Sequence, residues 1–296
     1  MTLLTPEAER EMLKDMSPVA KAGTEVSLAV HKAVMAGGEP ARHVADALHG
    51  KWLGHPLHPV LTDITIGAWV LGAVFDGLGA VTGQRALQRT GDQLALAGTI
   101  AAVPTLLTGL ADFSTFPEEA ATPATVHGAM NIVNVALYGL SIRDRRNGRH
   151  RRGVALSTLA IGLSCVSAWL GGMLVYKHKV GVDHRDRFEG PETWTPVLPE
   201  AQLPQRKPKR IKVEGKPVLL YRERNTIRAI GATCSHAGGP LDEGKVEGNC
   251  VQCPWHDSIF DLRDGHVVHG PANFPQPTFA ARIRDGQVEL RLERSE

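Results

Sequence analysis

A chain of 296 residues has room for about two domains, and a formal net charge of only +2 removes a global basic field as a reason to bind nucleic acid. Four cysteines in this length do not build a disulfide framework: Cys165 lies in an apolar run, while Cys234, Cys250 and Cys253 fall within twenty residues of one another, which points to a metal site. The opening, MTLLTPEAEREMLKDM, is charged from the start and lacks the apolar core of an export signal.

In chain order, residues 1–50 read as a helical, amphipathic segment, with Ala8, Met12, Leu13, Met16 and Val19 at helical spacing among charges. Residues 51–176 follow as a membrane domain. Their apolar runs, roughly 57–75, 94–111, 124–142 and 153–176, predict four spans. The last, GVALSTLAIGLSCVSAWLGGMLVY, is 24 residues without a charge, long enough to cross a hydrocarbon core of about 30 Å at about 1.5 Å per residue. Helices this rich in Gly and Ala suit close packing in lipid better than a soluble bundle. Lys and Arg in short loops stay cytoplasmic. The stretch SIRDRRNGRHRRG therefore leans the C-terminal domain to the extracytoplasmic side of the cell membrane, although Lys177, Lys179, Arg185 and Arg187 weigh against that.

Residues 177–193 read as a polar linker. Beyond it, eight short β-rich runs separated by Glu-Gly, Asp-Gly and Gly-Gly turns predict a small antiparallel domain over 194–296. Within it, CSHAGGPLDEGKVEGNCVQCPWHDS carries Cys234-x-His236, then 16 residues, then Cys253-Pro-Trp-His256. Two thiolates on one iron and two neutral imidazoles on the other make a [2Fe–2S] electron carrier. Structural zinc is the alternative, but finger sites pair their histidines on one helical face and no His pair here is so spaced.

Residues 194–296 resemble the Rieske [2Fe–2S] ferredoxin domain. The two ligand loops match at Cys234, His236, Cys253 and His256, and GPANFPQP at 270–277 is similar to the Pro-containing third loop that covers the cluster. The resemblance implies an all-β antiparallel Rieske sandwich behind the α-helical four-span membrane bundle. It also implies that Ser258 donates to a bridging sulfide, and that Phe260 replaces a Tyr found in high-potential members. The extra Cys after each ligand pair in those members is Gly or Trp here, so their inter-loop disulfide is absent. Cys250 precedes the second loop and reads as a buried strand thiol.

The stretch KWLGHPLHPVLTDITIGAW resembles an uncharacterised bacterial four-span membrane family marked by His-Pro-Leu-His-Pro, over about 45–180. In an up-and-down bundle, His55, His58, Asp63, Asp112, His127, Asn131 and His178 share one end. Ionisable groups at membrane depth mark functional paths. His58 and His127 are thus candidates for haem b ligation, with Asp63 and Asp112 behind them, or for a quinone site; interfacial helix capping is the third reading.

The expectation is a membrane-anchored electron-transfer protein exchanging single electrons with a redox partner protein, with the membrane haem or quinone pool as a further station. The alternative is a non-catalytic redox sensor. A Rieske oxygenase needs a 2-His-1-carboxylate iron site in a large C-terminal domain, and about 40 residues after His256 offer no room for one.

Overall fold

A computed structural model describes residues 17–293. Most of the amphipathic stretch expected over 6–22 lies outside the described residues. The chain divides into two compact units, each discontinuous in sequence. One holds the described residues through Ala36 together with Pro56–Val180, and the other holds Gly37–His55 with the chain from Gly181 onward.

The first unit is helical. Ser17–Ala36 (α1) precedes four long helices, which, after the intervening helix Gly38–His49 (α2) of the second unit, are Leu57–Thr82 (α3), Arg85–Phe113 (α4), Ala121–Arg146 (α5) and His150–Tyr176 (α6). By length and composition, α3, α4 and α6 are apolar enough to cross a membrane. The expected count was four. The third run is a helix as long as the others, but His127, Asn131 and Asn134 interrupt it and Arg143, Asp144, Arg145 and Arg146 close it, which lowers its average.

Polarity in this unit is reversed relative to a water-soluble bundle. Val70, Val74, Ile100, Leu107, Ile132, Val166 and Trp169 point outward, whereas Asp76, Thr108, Asn134, Ser141, Arg145 and Ser167 are buried. The inner packing is centred on Trp69, stacked on Tyr138 at 4.1 Å between ring centroids. At one end of the bundle Arg145 is almost wholly enclosed. Its guanidinium donates to both oxygens of Asp76 (2.8 and 2.5 Å), to Asp92 (2.7 Å) and to Ser157 (2.8 Å). A charge this deep survives only when paired and hydrogen-bonded. This also corrects the loop arithmetic, because one of the six arginines counted as a loop charge is an interior group.

The second unit is built on two antiparallel sheets. The first has the order β1-β10-β9-β4-β3-β2, from Thr195–Pro199 (β1), Lys209–Val213 (β2), Lys216–Glu223 (β3), Thr226–Gly231 (β4), Thr278–Arg284 (β9) and Gln287–Glu293 (β10). Between β4 and β9 the chain makes a second, four-stranded sheet from Lys245–Glu247 (β5), Cys250–Gln252 (β6), Ile259–Asp261 (β7) and Val267–His269 (β8). Strands β5 and β6 form a hairpin, with Glu247 opposite Cys250 and the turn made by Gly248, at φ +58°, and Asn249. Strand β1 carries Pro196 and Pro199 and escaped the sequence pattern.

The larger sheet is covered on both faces, which is why Val218, Leu219, Leu220 and Tyr221 are all buried in succession. Val218 and Leu220 join Leu198, Phe279, Val288 and Leu290 on one side. Leu219 and Tyr221 join Ile230, Leu241, Val251, Phe260 and the sulfurs of Cys234 and Cys253 on the other. The segment read as a linker is packed from Gly181 onward, with Phe188 edge-on to Phe279 at 5.0 Å.

Asp76→Leu or Arg145→Leu alone leaves a buried charge without its partner and should cost about 3–5 kcal/mol in detergent unfolding. The double Leu substitution should cost less than the sum of the two.

Candidate metal centre

The two candidate ligand loops are closed by the same backbone device. In the first, the Cys234 N–H donates to Gly239 O (2.8 Å) and the Gly238 N–H returns to Cys234 O (2.9 Å). In the second, the Cys253 N–H donates to Ser258 O (2.8 Å) and the Asp257 N–H returns to Cys253 O (3.2 Å). Each loop therefore folds its Cys inward and leaves its His two or three residues along the bend. Asp257 takes φ +61°, a left-handed conformation that Asp tolerates better than most residues.

Cys234 and Cys253 are buried, at 1% and 2% exposure, and the Cys234 thiol hydrogen-bonds to the Cys253 sulfur. That bond pulls the Cys253 thiol down to about 7. The same pairing, with burial, pushes Cys234 well up. His236 and His256 lie together, ring centroids 5.0 Å apart and planes at 87°. Burial holds His236 well below the usual histidine range, helped by the neighbouring His256, His49 and His184, so its imidazole is neutral, the form that ligates metal.

The donor set fits a cluster with two sulfur and two nitrogen ligands, and the first loop packs closely on the second at Gly239. A Cβ on Gly239 would fall 2.8 Å from the Cys253 sulfur and 3.1 Å from the Trp255 ring. The third loop, 270–277, is tied to both others: Ser235 donates to Phe274 O (2.6 Å), and the Ala272 N–H donates to the Ser258 hydroxyl (3.0 Å). Ser258 is fully buried and keeps its own proton for another acceptor. The chain from Gly181 adds to the enclosure, because the His184 N–H donates to Ser235 O (3.0 Å) and Thr233 donates to the Asp186 carboxylate (2.5 Å). The sequence patterns gave no sign of these last contacts.

The chain belongs to the Rieske [2Fe–2S] family. The family model for the Rieske [2Fe-2S] domain matches residues 193–280, and one described as "Predicted membrane protein (DUF2231)" matches 54–184. The anthranilate 1,2-dioxygenase ferredoxin subunit of Burkholderia cepacia is 38% identical over 77 residues, covering 26% of this chain and 71% of that protein. The ferredoxin component of the naphthalene 1,2-dioxygenase/salicylate 5-hydroxylase systems of Ralstonia sp is 30% identical over 83 residues, covering 28% and 80%. Among solved structures, the ferredoxin of carbazole 1,9a-dioxygenase from Nocardioides aromaticivorans IC177 is similar with 27% identity and a TM-score of 0.32, covering 33% of this chain and 96% of that one. A Rieske domain implies a [2Fe–2S] cluster.

Phe260 is wholly buried beside the Rieske sulfurs. Cys250 is half-buried rather than buried, opposite Asp261 in the β6–β7 ladder, and its thiol is pushed up by burial and by Asp261.

The helical unit lends the haem expectation no support. The His127 Nδ1–H donates to Ser167 O (2.8 Å), and its Nε2 accepts from Asn131 Nδ2 (3.1 Å), while the Ser167 hydroxyl closes the ring to Asn131 Oδ1 (2.9 Å). Both imidazole nitrogens are thereby used. A Cβ on Gly171 would come 3.2 Å from the His127 ring, so the imidazole lies flush on α6. His58 Nδ1 is held by Thr105 O at 2.9 Å. The polar partners of these imidazoles are Thr105, Ser167 and Asn131, not the expected Asp63 and Asp112; Asp63 is exposed on α3. His55 belongs to the second unit, and His178 follows α6 with its N–H on Met173 O.

Gly239→Ala should lower cluster content, read as iron and acid-labile sulfide per chain, while far-ultraviolet dichroism stays unchanged. Full loading in that variant would mean the loop packing does not set occupancy.

Proposed function

We propose that this chain is a membrane-anchored one-electron carrier in which Cys234 and Cys253 hold one iron of a [2Fe–2S] cluster and His236 and His256 hold the other. The observation that carries the reading is the convergence of two identically closed Cys/His loops, thiols inward and imidazoles paired, in a member of the Rieske family. When bound, such a cluster takes up and releases single electrons at a potential raised by its two nitrogen ligands. The residues around it do the rest. Burial of both sulfurs excludes water, desolvation keeps His236 in its ligating form, and the third loop fixes the Ser258 hydroxyl. The relatives are named as ferredoxin components of dioxygenase systems, which supports delivery of electrons to a protein partner. Trp255 follows the second Cys by two residues and is 55% exposed, a suitable apolar contact for that partner beside the imidazoles.

The anchor is the helical unit, with all four long helices crossing the bilayer. The support for α5 as a span is its orientation: Ile132, Val133 and Leu140 are outward while Asn134, Ser141 and Arg145 are buried, so its low average hydropathy reflects an interior face. The arginines left outside the Arg145 network at the α5–α6 turn put that end in the cytoplasm and both helix-pair openings on the other side. The anchor then takes the described residues through Ala36 with Pro56–Val180, and the cluster unit takes Gly37–His55 with the chain from Gly181 onward. A second reading, a redox sensor, draws on the hydrogen bonds that His184 donates to Ser235 and that Asp186 accepts from Thr233, which link the first ligand loop to the chain arriving from the bundle.

Purified full-length protein should contain about two iron and two acid-labile sulfides per chain and, once reduced, give the EPR signal of a Cys/His-ligated centre, lost in His236→Ala and His256→Ala. Zinc without sulfide would overturn the reading. Trp255→Ala should leave that signal intact and slow reduction or oxidation by the partner protein about tenfold; an unchanged rate removes Trp255 from the docking surface.

The potential should lie in the middle-to-lower part of the range of about −150 to +300 mV. Donors to the sulfurs stabilise the reduced, more negative cluster, so Ser258→Ala should lower the potential and Phe260→Tyr should raise it. Voltammetry insensitive to both changes would defeat the hydrogen-bond account.

A further inference from the structure

Helix α2 and strand β8 bring a second group of ligand-type side chains together, apart from the cluster loops. Glu39, His43 and Asp46 follow at intervals of four and three residues and so share one face of α2. His269, the last residue of β8, packs under that face. Asp46 and His269 are each only 7% exposed.

The hydrogen bonds fix which atom of His269 is available. Asp46 Oδ1 accepts the Gly270 N–H at 2.8 Å, and Asp46 Oδ2 accepts from His269 Nδ1 at 2.9 Å, with Lys51 Nζ 3.5 Å from the same oxygen. With Nδ1 held by Asp46, His269 turns Nε2 toward Glu39 Oε2, 3.3 Å away. His43 Nε2 approaches that carboxylate oxygen too, at 3.7 Å, and the two imidazole centroids are 5.5 Å apart. The ligating atoms of His43, Asp46 and His269 all fall within 4.8 Å of one another. An imidazole nitrogen this close to a carboxylate oxygen needs a proton or a metal cation between them.

We propose that Glu39, His43 and His269 bind a divalent transition-metal ion of the zinc class. Two imidazole nitrogens and one carboxylate, with a fourth position open to solvent beside the exposed His43 and Glu39, form a donor set that suits Zn²⁺ and Co²⁺. Asp46 is the carboxylate behind the ligating histidine, which fixes the tautomer and ring orientation and raises the basicity of Nε2. Occupancy fastens α2, which lies outside the residues matched by the Rieske model, onto β8. The same helix reaches the second cluster loop, where Arg42 Nη2 donates to Asp257 O at 3.2 Å, next to His256. The ion therefore pins a helix that borders the cluster.

The test is a Co²⁺ titration of the full-length, cluster-loaded protein in detergent after dialysis against a mild chelator, with the cluster's visible spectrum read in every sample. One Co²⁺ should bind per chain with a d–d absorption band that Zn²⁺ displaces. His43→Gln and Glu39→Gln, both at exposed positions, should each weaken Co²⁺ binding at least tenfold with the cluster spectrum unchanged. Asp46→Asn should weaken it about 10- to 100-fold. Absence of saturable binding, or a band of equal strength in the His43 and Glu39 variants, overturns the site and identifies the group as a protonated-histidine ion pair. Because the cluster spectrum is recorded in the same samples, loss of the cobalt site and failure of the electron-carrier reading are separately visible.

Discussion

Everything in the second unit depends on bringing two thiols and two imidazoles to one point from loops separated by 16 residues of sequence. Neither loop can do this alone. Each is pinched by a pair of backbone hydrogen bonds around its Cys, and the two are held in register by the shared apolar cluster in which Leu219, Ile230, Val251 and Phe260 surround the sulfurs. The inserted four-stranded sheet exists to carry the second loop, and its strands are only three residues long, too short to be stable without the larger sheet behind them. Burial of the sulfurs is thus inseparable from burial of the sheet faces. The same low-dielectric environment that keeps His236 neutral also makes the contacts around Ser258 and Cys253 electrostatically strong.

The helical unit answers the opposite solvent problem. With apolar side chains outward, water-driven burial cannot hold the helices together, and association falls to close packing and interior hydrogen bonds. Two polar centres fill that role at opposite ends of α5: the Arg145–Asp76–Asp92 cluster near its C-terminal end and the closed His127–Asn131–Ser167 ring near its N-terminal end. In both, hydrogen bonds tie α5 to a neighbouring helix: Arg145 to Asp76 and Asp92, and His127 to Ser167. His127, which reads in sequence as an intramembrane functional group, is in this arrangement a fully satisfied structural one.

Helix α2 changes the relation between the two halves of the sequence. It lies in sequence between two parts of the helical unit, yet packs with the cluster unit through Arg42 and Asp46, and Lys51 just beyond it donates to Val268 O. Contacts of this kind, across more than 200 residues, confine a segment that would otherwise be solvated. They also place charged side chains near the cluster loops, where they act on it electrostatically.

The sequence by itself determined the identity of the cluster unit, because iron–sulfur chemistry demands specific donor atoms and the Cys-x-His and Cys-Pro-Trp-His spacings leave little freedom in how they are presented. It also determined the run of long apolar helices, since bilayer thickness translates directly into uninterrupted apolar length. What it left undecided were pairings between distant residues. The hydropathy of α5 averaged over a buried polar face and an apolar outer one. Arg145 reads as a loop charge in sequence but is neutralised by Asp76 on α3 and Asp92 on α4, and His127 reads as a free ligand but has both nitrogens occupied by Ser167 and Asn131. Asp46 and His269, separated by 223 residues, carry no periodic signal linking them. Local pattern records the solvent and the chemistry a segment needs, whereas which polar group neutralises which is decided by three-dimensional proximity alone.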